Sequence, residues 1–165
     1  MKLIEQCVTI LPIDIDTDIQ EVHRFIEEVG RVCYKSEDKI TEDSYKGFIN
    51  RIINSGHLSV LEHGTIYLGI RSSELSIRRP DIETLLSSPY TFYKTFNNTM
   101  YITTNYRVLV ENHIEGLYDN YAMMRCAQHI PRIPIKFVCS RAIANELVRH
   151  RVFSFSQEST RQWRH

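Results

Sequence analysis

Apolar residues at Ile19, Val22, Phe25, Ile26, Val29 and Cys33 recur at helical spacing, and this stripe constrains the fold more than any other feature of the chain. It predicts an amphipathic helix that lays one face on a core, with Glu21, Arg24 and Glu28 on its polar side. Asp16, Thr17 and Asp18 stand before it as N-cap candidates. A second helix is expected from Thr41. It has Glu42 and Asp43 in its first turn, an apolar stripe of Tyr45, Phe48, Ile49, Ile52 and Ile53, and Gly56 as its stop. The polar run Lys35-Ser36-Glu37-Asp38-Lys39 between the two reads as a loop.

Strands are expected at the opening Cys7-Val8-Thr9-Ile10-Leu11 run, closed by Pro12, at 65–70, at 100–104 and at 133–139. Short helices are expected around 105–112 and over 141–148, the latter with Ala142, Ile143, Leu147 and Val148 toward its apolar side. The class is α+β: a mixed sheet built from the opening segment and the strands at 65–70 and 133–139, covered by the two N-terminal helices and the 141–149 helix. Between 71 and 132 the chain carries the polar piece Arg78-Arg79-Pro80 and an aromatic patch, Tyr90, Phe92, Tyr93 and Phe96, with no catalytic pattern.

At 165 residues and 42% hydrophobic the chain can bury about two-thirds of its unfolded surface in one domain. Twenty Lys and Arg against twenty Asp and Glu argue against a protein that holds bulk nucleic acid by summed positive charge. Cys7, Cys33, Cys126 and Cys139 form no C-x-x-C pair and read as reduced, mostly buried thiols, with no metal site. No window approaches the roughly 18 apolar residues of a membrane helix, and residues 1–6 lack the apolar core of a secretory signal, so a cytoplasmic protein without a membrane partner is expected.

Two segments carry candidate chemistry. The last 25 residues hold Arg141, Arg149, Arg151, Arg161 and Arg164 against Glu146 and Glu158. Arginine presents a rigid fork of donors that matches phosphate oxygens in pairs, and hydroxyls such as Ser159 and Thr160 complete such a cradle. Cations at a helix C-terminus are equally what the macrodipole favours, and Ser154-x-x-Gln157 would cap a following turn. The other segment is Gly56-His57-Leu58-Ser59-Val60-Leu61-Glu62-His63, whose histidines and glutamate, taken alone, read as hydrogen-bonded structural groups.

Together these strings resemble a known family. Arg149-His150-Arg151, followed after seven residues by Ser159, is similar to the signature of the flavin-dependent thymidylate synthases. The 56–63 segment resembles that family's upstream flavin-binding segment, and Arg31-Val32-Cys33-Tyr34-Lys35-Ser36 its N-terminal pattern. The likeness covers 1–70 and 133–161, leaving 71–132 as a family-variable insertion within a single domain spanning 1–165.

The resemblance implies reductive methylation of dUMP to dTMP, with methylenetetrahydrofolate as carbon donor and NADPH-reduced FAD as hydride source, in a homotetramer. Carried over by position, His57, Ser59, Arg149, His150, Arg151 and Gln157 fall on flavin-contacting positions. Glu146, Leu147, Val148, Arg149, Gln157, Glu158, Ser159, Thr160 and Arg161 fall on dUMP-contacting ones. Gln157 stands where glutamate is common, Glu146 where glutamine is common, and Gln162 where the family has tyrosine. Members continue further, so the arginine that promotes pyrimidine ionisation is expected beyond residue 165, the chain then lacking the C-terminal part of the domain. The alternative function is a catalytically inactive flavin- or nucleotide-binding module.

Overall fold

Helix α1 (Ile19–Val32) begins where the Asp18 carboxylate accepts a hydrogen bond from the Gln20 amide at 2.8 Å, which satisfies one of the free donors at a helix start. The computed structural model describes residues 5–11, 18–75, 79–150 and 153–158. Asp16, Thr17 and Arg78, and the site candidates Arg151, Ser159, Thr160 and Arg161, lie outside the described residues.

On α1, Val22 and Ile26 are buried as the spacing requires, and the charged pair Glu27 and Arg31 is buried with them. The pair is fully engaged: Arg31 Nε donates to Glu27 Oε1 at 2.7 Å, and the Ser44 hydroxyl donates to Oε2 at 2.7 Å. A buried charge without such partners would be costly. Ser44 opens α2 (Ser44–Asn54), so the carboxylate also joins the two helices. The intervening polar run carries a 3-10 turn at Glu37–Lys39. A second 3-10 turn, Leu58–His63, follows α2 and leads into β2 (Thr65–Arg71).

Two short helices, α3 (Ser72–Leu75) and α4 (Pro80–Ser87), precede a hairpin of β3 (Phe92–Phe96) and β4 (Thr99–Asn105). Its turn residues Asn97 and Asn98 both take positive φ, 45° and 57°, the geometry that suits a two-residue hairpin loop. Helices α5 (Tyr106–Glu111) and α6 (Gly116–Tyr121) follow. The antiparallel sheet β2-β4-β3 puts Ile66, Leu68 and Ile70 beside Thr104, Ile102 and Met100 on one face. With Ile26, Leu61, Leu85, Leu109 and Leu117, all fully buried, they form the core.

The α+β class stands, but the described strands form two antiparallel sheets in place of one mixed sheet. Among the described residues, the opening strand β1 (Cys7–Ile10) pairs with β5 (Ile135–Val138). One edge of β2 is taken over its whole length by β4. The other is closed by the chain after α6, where the Met123 amide donates to the Tyr67 carbonyl and Leu68 bridges Ala122. His129 completes this closure. Its Nδ1 accepts from the Cys126 amide, so Nε2 carries the proton and donates to the Leu68 carbonyl at 3.1 Å.

Helix α7 (Arg141–Leu147) buries no residue, with Ile143 exposed, and therefore does not cover a sheet as expected. The thiols also differ from expectation, Cys7 being exposed and the other three half-buried. Residues 71–132 run through the core: β4 is the central strand, and Ile82, Leu85, Leu109 and Leu117 are among its buried side chains.

Gly30 lets α1 approach both α2 and the 58–63 turn. A Cβ there would sit 2.6 Å from Phe48 Cζ and 2.7 Å from Val60 Cγ1. Gly30→Ala should therefore lower unfolding free energy by about 1–3 kcal/mol, the range for overpacking, in a urea titration at constant m-value. A stability equal to that of the parent chain would mean this contact is looser than described.

Candidate functional site

The 58–63 turn is gripped from two sides. Val60 and Leu61 are buried against α1 and α5, and the Tyr106 amide donates to the Gly64 carbonyl at 2.8 Å. Helix α5 is itself fixed by Asn105, whose side chain accepts from the Val108 amide at 3.1 Å. These anchors hold Glu62 and His63, the last residues of the turn, toward the segment after α7.

Side-chain contacts join that segment to the 31–36 and 56–63 stretches. The Ser154 hydroxyl donates to Glu62 Oε2 at 2.7 Å, and the Ser156 hydroxyl lies 3.0 Å from His63 Nε2. Glu158 forms an ion pair with Lys35. Alternate residues thus face inward, as in any extended stretch. Phe153 and Phe155 stack edge to face at 6.1 Å, and Phe153, Phe155 and Gln157 are exposed. Lys35, Glu62 and His63 belong to the 31–36 and 56–63 motifs, so both motifs meet the 153–158 stretch that lies within the Arg149–Ser159 string.

Glu62 is the hub, with its side chain only 12% exposed. Arg107 Nη1 donates to Oε1 at 2.6 Å while Arg107 also holds Glu111, and Arg132 Nη2 reaches the Ser154 hydroxyl at 3.4 Å. Burial pushes the Arg132 guanidinium below its ordinary value, and Glu62 and Tyr67 oppose this. Arg132 Nη1 is buried and has no hydrogen-bond partner among the described residues. Burial, helped by Arg132, pushes the His63 imidazole down to about 4, against opposing pulls from Glu62 and the Phe155 backbone. At neutral pH His63 is therefore uncharged beside the serine.

The described residues placed by resemblance fall on two stretches, the 57–63 turn and the end of α7 with the segment after it. His57 and Ser59 are exposed on the turn whose end holds Ser154 and Ser156. Glu146, Val148, Arg149 and His150 are exposed at the end of α7, and Leu147 is half-buried. Arg149 forms an exposed ion pair with Glu146 at 2.9 Å. Gln157 is exposed, whereas the Glu158 carboxylate is engaged by Lys35.

Sequence reasoning found no candidate between 71 and 132, and so missed Arg107 and Arg132. No spacing marked them. Ser154 and Ser156 did carry a signal, their alternation with Phe153 and Phe155, and Glu158 was already a candidate by resemblance.

Residues 15–80 match the family model of the thymidylate synthase complementing protein. The match bears out the resemblance to the flavin-dependent thymidylate synthases. It spans about two-fifths of the chain and includes the 31–36 and 56–63 motifs, with the arginine-rich segment outside it. No curated protein and no solved structure matches the chain. No helix among the described residues is long and apolar enough to cross a membrane.

His63 makes the junction sensitive to acid. An unfolded histidine titrates near 6.5 and the folded one near 4, so between these values the unfolded chain binds the additional proton. The stability is fully present above pH 6.5 and is lost as pH falls to 4, by up to about 3 kcal/mol. Burial lowers His23 and His129 as well, which adds in the same direction. Urea unfolding at pH 7 and pH 4.5 should show this loss, and His63→Gln should flatten it. A pH slope identical in the variant would contradict the assignment.

Proposed function

We propose that the chain carries out, or forms the nucleotide-binding part of an enzyme for, reductive methylation of dUMP to dTMP. The observation that carries this reading is the meeting of the 31–36, 56–63 and 153–158 segments through Lys35–Glu158, His63–Ser156 and Glu62–Ser154. These contacts bring two motif strings and the stretch inside the third, far apart in sequence, to one junction.

The donors around the junction suit anionic ligands. Arg149 is exposed, and its ion pair with Glu146 is of the surface kind, worth at most about 1 kcal/mol, so its guanidinium is free to exchange that partner for a phosphate. In this reading Arg149 and Arg161 pair with the dUMP phosphate or polarise its pyrimidine, with Ser159 and Thr160 as neutral donors. Glu146, Leu147, Val148, Gln157 and Glu158 line the same nucleotide. Exposed His57, Ser59, His150 and Gln157 supply donors of the kind a flavin needs at its polar atoms, and Arg149 and Arg151 supply charge for its diphosphate.

Bound FAD, reduced by NADPH, supplies the hydride, and methylenetetrahydrofolate supplies the carbon. The chain's own residues bind and orient the reactants. Ser159 acts as a binding hydroxyl, since a nucleophilic role needs an adjacent activating base.

The assembly is a cytoplasmic homotetramer built on a single domain with a family-variable 71–132 segment. The paired β1 and β5 support association, because they leave Val8, Ile10, Ile135 and Phe137 exposed on one face.

Incubated with FAD, NADPH, dUMP and methylenetetrahydrofolate, the purified chain should form dTMP. Calorimetric dUMP binding without turnover would instead assign the inactive binding module, and neither binding nor turnover would overturn the reading. Arg149→Ala should weaken dUMP binding at least tenfold. It should cost at most about 1 kcal/mol in folding, the scale of a charge at a helix end. Equal losses in binding and stability would make Arg149 a structural residue.

A further inference from the structure

Arg107 and Arg132 lie outside all three motifs, yet both converge on the group that holds the arginine-rich segment. Arg107 reaches Glu62 Oε1 at 2.6 Å, and the Ser154 hydroxyl reaches Oε2 at 2.7 Å. Arg132 approaches the same hydroxyl at 3.4 Å. A serine hydroxyl bound to a carboxylate is a strong, directional contact, and its position is only as well fixed as the carboxylate itself. Glu62 by itself could turn about its side-chain torsions. Arg107 prevents this on one oxygen, and the positive charge of Arg132 stands behind the serine.

Each arginine is in turn held by the fold. Arg107 sits in the first turn of α5 and is shared with Glu111. Arg132 follows the chain that His129 ties to the edge of β2.

We propose that Arg107 and Arg132 are positioning residues for the nucleotide site: with Glu62 they fix Ser154, and through it the register of residues 153–158 beside Arg149. The role they serve rests on the proposed function, whereas the clasp itself is a property of the fold. Ser154 and Ser156 are engaged in anchoring, while Gln157 between them and Glu158 is exposed toward a ligand. The network gives residues 71–132 a part in the site through Arg107 and away from its motifs.

Amide hydrogen exchange and dUMP calorimetry on the full 165-residue chain test this with Arg132→Gln, Arg107→Gln and Ser154→Ala. Each should raise exchange at 153–158 and weaken dUMP binding, both by about tenfold, as expected for a lost charge-assisted bond. Exchange in β2 and β4 should stay unchanged. Arg132→Lys should recover part of the affinity, and Arg132→Gln should add little in a chain already carrying Ser154→Ala.

Parental exchange at 153–158 in all three variants would overturn the proposal, as would loosening spread evenly over the sheet. If an arginine variant fails to fold, Ser154→Ala, which removes one hydroxyl, decides alone. A parental chain that binds no dUMP would defeat the functional reading, and exchange would then judge the clasp separately. Loosened exchange with unchanged dUMP affinity would show a clasp that does not serve the site.

Discussion

The Glu62 carboxylate is the point on which the described site depends. It is nearly buried, and a buried carboxylate is tolerated only where hydrogen bonds and opposite charge replace its water. Arg107 and Ser154 supply the hydrogen bonds, one on each oxygen, and Arg132 supplies further charge from behind the serine. Because these partners come from α5, the segment after α7 and the connection after His129, satisfying one carboxylate requires distant parts of the chain to be in place together. Glu27 does the same between α1 and α2, with Arg31 and Ser44 as partners. The two carboxylates thus fix the N-terminal half internally and dock the C-terminal segment on it.

Much of the fold was legible because its signals are local. The stripes of α1 and α2, the Asp18 cap and the branched residues of β2 act within a few positions of themselves. Strand β3 was not legible as a strand, since all five residues are exposed and no buried alternation marks it. Its signal was the Asn97-Asn98 pair, which tolerates the positive φ of a tight hairpin turn. Once β4 takes β2, the sheet expected from the opening segment cannot form, and β1 is left with β5. That outcome depends on competition between distant strands, which no local pattern reports.

The site was legible in part for the same reason. The arginine-rich string and the 56–63 string announce themselves as unusual clusters of polar groups. Their meeting is a tertiary fact, and the groups that secure it look ordinary: Arg107 reads as one member of a helical i,i+4 pair with Glu111, and Arg132 as a lone cation between prolines. Their partners give them meaning, Arg107 through the nearly buried Glu62 carboxylate and Arg132 through its own burial beside Ser154. The exposed Arg149 and Gln157 show the opposite economy, with donors left facing outward where an anionic ligand can reach them.

Zero-length carbodiimide coupling reads whether the 31–36 and 153–158 segments meet within one chain. The Lys35 ammonium and the Glu158 carboxylate form an ion pair and are both partly exposed, as amide formation between them requires. In an equal mixture of isotopically light and heavy chains, the Lys35–Glu158 linked peptide should be wholly light or wholly heavy. Linked peptides of mixed isotope would show that the segments meet between chains, and absence of the link would show that they do not meet; either result would overturn the intrachain junction.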